Sequence, residues 1–299
     1  MNDFRLRVFI SVAQNLSFTA AANELNVSQP AISKHIQELE NMYHIQLFER
    51  SAGSIRTTHF GDIFLKHALS IIESYRTLQL EMNLLTQNFK GELHIGASTT
   101  IAQYVIAPII AKFIVRFPDI RVSLMGGNTR QIERALSEHR IDIGLIEGRS
   151  RRSALRYSHF MNDSLVVVTA ALTSIPATIS LSQLSLLPLV LREVGSGTLE
   201  VIERTLAGHG LKLSSMNIIL HMGSTESIKQ FLCHSSSFAI VSVVAVEREI
   251  ASGLLKVVKI EGVDFEREFA FVSLMGVSGE LGVVAEKFEH FAEVYNQKL

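Results

Sequence analysis

Residues 17–40, SFTAAANELNVSQPAISKHIQELE, leave a chain few ways to fold. They read as two short helices with no room for a loop between them. Ser17 and Thr19 can each cap a helix through AAANEL, because a hydroxyl there accepts from an early backbone N–H. Asn26 supplies the turn residue before Val27. Ser28 caps the next helix, and Pro30 is tolerated in its first turn because the early N–H groups have no intrahelical partner to lose. At about 100° per residue, Ala31, Ile32, His35, Ile36 and Leu39 share one side of this helix. Gln29, Ser33, Lys34, Gln37 and Asn41 share the other, which is short, polar and rich in amides. Ahead of the pair, Phe4, Val8, Phe9 and Val12 recur at helical spacing and predict a first helix from Asp3 to Gln14.

Helix, tight turn, helix with an amide-rich outer face is the geometry that lays a second helix in a DNA major groove. Glutamine pairs bidentately with adenine, serine with several base edges, and lysine with guanine or phosphate. The same pattern also fits the solvated face of a small helical domain, and charge does not decide between them. The whole chain carries a formal charge of -1. Within residues 1–60, Arg5, Arg7, Lys34, Arg50 and Arg56 are matched by Asp3, Glu24, Glu38, Glu40 and Glu49. A case for DNA therefore rests on where groups are placed.

Composition excludes other classes. With 299 residues, 47% apolar and 19% charged, the chain has the makings of two or more compact units rather than a disordered tail. The first residues mix acid and base with no apolar run and no small-residue cleavage site behind them. The longest apolar stretch, YVIAPIIAKFIV at 104–115, is broken by Pro108 and Lys112 and falls short of the roughly 20 residues of a membrane helix. These features predict a cytoplasmic protein with no membrane partner. One cysteine, Cys233, excludes an internal disulfide and a cysteine-rich zinc site.

After the helix pair, LFERSAGSIRTTHFG at 47–61 reads as two short segments around a turn at Gly53, with Arg50 and Arg56 on either side. It forms a small wing able to reach phosphates. Together, FISVAQNLSFTAAANELNVSQPAISKHIQELE and LFER resemble the LysR-type transcriptional regulators over some sixty positions. The resemblance implies a winged helix-turn-helix whose third helix reads bases. On that footing Gln29, Pro30, Ser33 and Lys34 are groove contacts, with Ser17, Thr19, Ser28, Arg50, Arg56 and Thr58 nearer the DNA backbone. Three positions depart from the family pattern: His44 stands for a glycine after the third helix, Gly53 for a basic wing residue, and Thr57 for a leucine.

From Gly61 a single long helix is predicted. Phe64, Ala68, Ile71, Tyr75, Leu78, Met82, Leu85 and Phe89 alternate in steps of four and three, with no Pro or Gly before Gly91. Such a stripe packs either on its own domain or on a second copy. The dimer also supplies the two-fold symmetry that sets paired reading helices about 34 Å apart. The family resemblance implies the same linker helix and a tetramer built as a dimer of dimers.

Beyond KGE at 90–92, the runs LHIGA, RVSLMGG, DIGLIEG, SLVVVTA, LPLVLRE, NIILHM, FAIVS, LLKVVKI and EFAFVSLM are spaced by helix-length segments, the pattern of an α/β domain. GASTTIAQYVIAPIIAKF and REVGSGTLEVIERTLAGHG each run strand, small polar residues, helix, which suggests two similar lobes. A tail helix from Glu280 to Lys298 is expected to return to the first lobe. The resemblance implies two Rossmann-like lobes similar to periplasmic binding proteins, with crossings near 162–165 and 264–268. The expected organisation is 1–60 DNA-binding, 61–90 linker and dimerisation helix, and 91–299 effector-binding, with lobe 1 over 91–162 and 267–299 and lobe 2 over 163–266.

The strand-to-helix junctions carry the chemistry of this second unit. Ser98-Thr99-Thr100, Ser196-Gly197-Thr198 and Ser224-Thr225 set hydroxyls and N–H groups at helix starts, where aligned peptide dipoles favour an anion. Each alone is an ordinary cap, but three on facing lobes fit the rule that open α/β sheets bind ligands beyond the carboxyl ends of their strands. Asn128, Thr129 and Glu147 are expected on the same rim. Arg192 either adds positive charge there or pairs with Glu193 or Glu200. LREVGSGT and GSTESIK resemble the LysR branch that controls sulfur and carbon assimilation, although that branch carries an arginine where Leu199 stands and a glycine-rich turn where HSSSF stands. A small anion, a carboxylate or an oxyanion, is the expected effector.

Nothing in the sequence points to catalysis, a cofactor or a metal. The histidines show no metal-ligand spacing, GSGT lacks the lysine of a phosphate loop, and no G-x-S-x-G elbow occurs. Cys233-His234 as a thiol sensor lacks a resolving cysteine, which leaves a core role. Two function classes follow. One is a ligand-responsive regulator with promoter DNA, a small effector, a second copy of itself and possible contact with the transcription machinery as partners. The other is a two-lobed binding protein or enzyme with an accessory helical oligomerisation domain.

Overall fold

A computed structural model of the chain describes residues 4–51, 54–85, 91–148, 154–274 and 283–296. It divides into two compact units, Met1–Asn88 and Phe89–Leu299.

The first unit runs α1 (Phe4–Asn15), α2 (Phe18–Leu25), α3 (Gln29–Tyr43), β1 (Phe48–Ser51), β2 (Ser54–Thr57) and α4 (His59–Leu85). The Ala20 N–H donates to Ser17 Oγ at 3.1 Å, so Ser17 caps α2 and Thr19 lies inside it. Asn26 closes α2 in the left-handed region at φ 54°. The Ala31 N–H donates to Ser28 Oγ at 3.4 Å at the start of α3. Val8, Phe9, Val12, Ile32, Ile36 and Leu39 bury their side chains in one core. Phe9 lies at its centre, with ring centroids 5.2 Å from Phe48 on β1 and 4.7 Å from Phe64 on α4. The wing is an antiparallel pair in which Glu49 stands opposite Arg56.

Helix α4 begins two residues before the expected Gly61, because Thr58 caps it. The Gly61 N–H donates to Thr58 Oγ1 at 3.0 Å, and that hydroxyl donates to the Gln46 carbonyl at 2.7 Å. The expected dimer stripe needs correction at its start. Ala68 is in the core of its own unit, and Phe64 packs against that core between Phe9 and Tyr43. Among the described side chains of α4, the exposed apolar ones are Phe60, Ile63, Ile71 and Leu78, with Tyr75 half-buried. A stripe with the same period serves both purposes, since it must first hold the helix to its own domain. The Met82 and Leu85 side chains and Phe89 lie outside the described residues.

The second unit runs β3 (Gly91–Ser98), a π turn at Ile101–Val105, α5 (Ile106–Arg116), β4 (Ile120–Gly127), α6 (Thr129–Ser137), β5 (Ile143–Glu147) and β6 (Leu155–Ala170). It continues with β7 (Thr178–Ile179), α7 (Leu181–Leu186), β8 (Leu189–Arg192), α8 (Gly197–Gly208), β9 (Ile218–Met222) and α9 (Thr225–Cys233). It ends with β10 (Phe238–Ser242), α10 (Val243–Ala251), β11 (Leu255–Ile260), β12 (Phe265–Leu274) and α11 (Val283–Asn296). The strands order β4-β3-β5-β12-β6-β10-β8-β9, with β11 beside β6. Strands β3, β4 and β5 are parallel in one half, and β8, β9 and β10 in the other. Antiparallel β6 and β12 pair from Leu155 to Leu165 and carry the chain between the two lobes.

All nine expected strands occur. SLVVVTA is only the end of β6, whose earlier stretch RYSHFMN is mostly polar and buries Phe160 alone, and so does not read as an apolar run. The tail helix packs on the first lobe, with the Phe288 ring 5.2 Å from Phe113 of α5. Cys233 is half-buried against the apolar cluster beneath α9.

Candidate functional site

On α3 the polar side faces solvent. Gln29, Pro30, Lys34, Gln37 and Asn41 are exposed and Ser33 is half-buried, while Ile32, Ile36 and Leu39 fill the core behind them. Gln29 Nε2 donates to Ser33 Oγ at 3.0 Å, one turn on, which orients the carboxamide. Two nearby acids are drawn away from this face. Glu24 accepts from Ser11 Oγ at 2.7 Å and Asn15 Nδ2 at 2.6 Å, and Glu40 Oε1 accepts from the Leu47 and Phe48 N–H groups at 2.8 and 3.3 Å. The matched charge count of the sequence thus hides a separation: these carboxylates hold the fold together while Lys34 stays in water. Arg56 is exposed on β2, and the Arg50 side chain lies outside the described residues. Ser17, Ser28 and Thr58 are helix caps, and Thr19 is exposed beside the first of them.

In the second unit the structure brings the junction residues of both lobes together. Arg192, at the end of β8, is buried. It donates Nε and NH2 to the two oxygens of Glu193 at 2.9 and 3.1 Å, NH2 to Thr99 Oγ1 at 3.1 Å and NH1 to Thr225 Oγ1 at 3.3 Å. Of the two partners open from sequence, Glu193 takes Arg192, while Glu200 pairs with Arg204. Asn128 caps α6 by a reciprocal bond pair with Gln131 and sends Nδ2 to Glu193 Oε1 at 3.2 Å. Burial alone would raise the Glu193 carboxyl, but the hydrogen bond and charge of Arg192, helped by Asn128, hold it below the usual carboxylate value.

Ser196 and Ser224 cap α8 and α9. The first junction behaves differently. Thr100 makes no cap bond, and its hydroxyl donates to Glu147 Oε2 at 3.0 Å. Ser98 is buried with a hydroxyl that has no partner among the described residues. Gly197 is where the lobes touch: a Cβ there would fall 2.0 Å from the Glu147 carbonyl oxygen.

Glu147 corrects another expectation. It lies beneath the rim rather than on it, ion-paired with Arg267 NH1, while Thr198 donates to it at 3.3 Å and Thr129 to its carbonyl at 3.0 Å. Arg267 Nε also reaches Asp163 at 2.6 Å, and Ser242 donates to that Asp at 2.9 Å. This hub joins β5, β6, β12, α8 and β10 at the crossing between lobes, and sequence reasoning missed Arg267, Asp163 and Ser242. The signal was present, since Arg267 alternates with Phe265 and Phe269, and Asp163 with Leu165 and Val167, on buried faces. A second missed bridge is Tyr104, on the π turn, donating to Glu226 of α9, whose Oε1 also meets buried Lys229 at 2.7 Å. Burial and the neighbouring Glu226 push the Tyr104 phenol well above its usual value.

A family model described as LysR substrate binding domain matches residues 86–276, and one described as bacterial regulatory helix-turn-helix protein, lysR family, matches residues 4–62. The HTH-type transcriptional regulator CysL of Bacillus subtilis (strain 168) is 30% identical over 271 residues, 89% of each chain. Among solved structures, the regulatory domain of Synechocystis PCC6803 CcmR in complex with 2-PG has a TM-score of 0.62 at 24% identity, covering 69% of this chain and 97% of that one. Full-length CbnR complexed with its target DNA has a TM-score of 0.62 at 19% identity, covering 96% and 100%. With the amino-terminal helix-turn-helix and the two-lobed α/β unit each matched by its own family model, this chain belongs to the LysR family of transcriptional regulators.

Proposed function

We propose that the protein reads an inverted-repeat promoter site as a dimer of dimers and senses a small anion between its lobes. Residues 1–60 form the DNA-binding part, 61–90 the dimerisation helix, and 91–299 the effector-binding part, divided into lobes at 162/163 and 266/267. Gln29, Pro30, Ser33 and Lys34 are the groove contacts. Ser17, Thr19, Ser28, Arg50, Arg56 and Thr58 lie nearer the phosphates. Ile71, Tyr75, Leu78, Met82 and Leu85 continue the dimer seam. Thr99, Asn128, Arg192, Ser196, Gly197, Thr198, Ser224 and Thr225 surround the effector, and Ser98, Thr100, Thr129 and Glu147 form the floor beneath it.

The observation that carries this reading is the outward face of α3, polar, exposed and cleared of the Glu24 and Glu40 carboxylates. For the effector, the support is the convergence of Thr99, Asn128, Arg192 and Thr225 from two lobes. The 2-PG complex of the CcmR regulatory domain lends support to a small-molecule effector in such a fold.

Selection of random duplex DNA near physiological salt tests the first half. An inverted repeat with half-sites about one helical turn apart is expected. Gln29→Ala is expected to relax preference at one position, at a cost of about 1 to 3 kcal/mol against the cognate base, and Arg56→Ala to weaken all sequences alike. Equal losses from both variants on cognate and scrambled DNA would remove Gln29 as a base reader.

A further inference from the structure

The strongest cation of the proposed effector cleft is already engaged by an anion of the chain itself. Arg192 meets the two Glu193 oxygens with Nε and NH2, the two-point edge that a free carboxylate or oxyanion would take. Asn128 of the facing lobe donates to the same carboxylate. Thr99 and Thr225 hold the rest of the guanidinium from either side, with the Gly223 carbonyl at 3.4 Å. Donors from both lobes thus converge on one carboxylate group.

Glu193 is not built in as a core residue would be. Its side chain is 27% exposed, against 1% for Arg192. Its backbone is held separately: the Ser196 N–H donates to the Glu193 carbonyl at 3.1 Å, closing a turn in which Gly195 adopts φ +95°. Rotation of the side chain about its own bonds is enough to carry the carboxylate into solvent while leaving this turn intact.

We propose that Glu193 is a built-in stand-in for the effector: its carboxylate occupies the Arg192 and Asn128 donors until an incoming carboxylate or oxyanion displaces it. The proposal rests on the reading of the cleft as the effector site and gives that site its selectivity. A tethered carboxylate competes at an effective concentration of millimolar or more. It therefore shields Arg192 from chloride and other weakly held anions. An effector succeeds only if it matches the two-oxygen edge and adds contacts that Glu193 lacks, for which the Thr225 hydroxyl and the Ser196 turn are at hand, the Thr99 hydroxyl being committed to the Gly127 carbonyl.

The test uses the full chain with sodium sulfate, phosphate and acetate at constant ionic strength, followed by calorimetry and by melting temperature. Glu193→Gln keeps the size and removes the charge, and is expected to bind the best of the three anions at least ten-fold more tightly than the native protein. Glu203→Gln, on the exposed side of α8, makes the same change in net charge and is expected to match the native protein. Glu193→Ala is expected to melt lower in chloride and to recover with acetate, which refills the place of the lost carboxylate. Glu193→Asp, which keeps the charge but shortens the reach, should show a smaller gain in affinity and serves if the other variants fold poorly. Measurable binding with equal affinity in the native and Glu193 variants overturns the stand-in while leaving the cleft as an anion site. Binding to none of the proteins, the Glu193 variants included, overturns the proposal and the reading of the cleft together.

Discussion

Gln29, Lys34 and Gln37 stand exposed on α3, whereas Arg192, Arg267 and Lys229 are 1, 2 and 5% exposed and each is bonded to a carboxylate. The two regions handle polarity in opposite ways. A surface that meets a long, regular polyanion can leave its side chains in water and desolvate them on contact, because the target supplies many phosphates at fixed spacing. A cleft that answers one small molecule has no such supply, so its charges are paired inside the protein beforehand. Those internal pairs then become what a ligand must exchange, which is how binding between two lobes can shift their arrangement.

The largest effect expected from this contrast is at Arg267. Arg267→Met leaves Glu147 and Asp163 buried without their cation, at a cost of about 3 to 5 kcal/mol in urea unfolding. Adding Glu147→Gln and Asp163→Asn should recover most of that loss, since the penalty comes from uncompensated charge. On α3, Lys34→Met should change stability by no more than about 0.5 kcal/mol while relaxing base preference at one position of the DNA site. A loss below about 1 kcal/mol for Arg267→Met would mean that the hub does not hold the crossing strands, and the contrast between the regions would fail there.

Two glycines sharpen it further. A Cβ on Gly61 would lie 2.2 Å from the Leu47 carbonyl oxygen, and one on Gly197 would lie 2.0 Å from that of Glu147. Gly61 sits inside a single core, so Gly61→Ala should cost the roughly 1 to 3 kcal/mol of an overpacked site. Gly197 sits where two lobes meet, so Gly197→Ala has another way out, which is to part them. It is expected to lose less unfolding free energy but to speed hydrogen exchange at the start of α8. Equal losses at both sites, with exchange unchanged at α8, would show the lobes to be as rigid as the helical core.

How much of this was legible in the sequence differs between the regions for the same reason. The α3 face, its Ser28 cap and the Asn26 turn depend on neighbours within a few residues, and periodicity finds them. The cleft hub joins Glu147 to Arg267 across 120 positions and Asp163 to Arg267 across 104. No local pattern states such a pairing. Alternation could flag Arg267 and Asp163 as charges on buried faces, yet not as partners. The stripe on α4 was legible as a stripe, but its period does not say which residues, here Phe64 and Ala68, are used by the helix's own domain. Among the strand-to-helix junctions, residue type located the Ser196 and Ser224 caps and offered Glu193 and Glu200 alike for Arg192, a choice that only the fold decides, for Glu193.

The smallest effect expected concerns the end of α3. His44 closes the helix in the left-handed region at φ 53°, its N–H donating to the Glu40 carbonyl. A side chain in that conformation costs about 1 to 2 kcal/mol, part of which glycine gives back through its greater freedom in the unfolded chain. His44→Gly should therefore raise stability by about 1 kcal/mol, seen as a higher urea midpoint at unchanged slope. His139, at the end of α6 in the second unit, has the same φ of 53° but makes interactions of its own, so His139→Gly should gain less. Since His44 lies at the opposite end of α3 from Gln29, base preference should not move with stability. If it did, the reading face would depend on the whole helix being held under strain, and exposed side chains alone would no longer account for how α3 meets DNA.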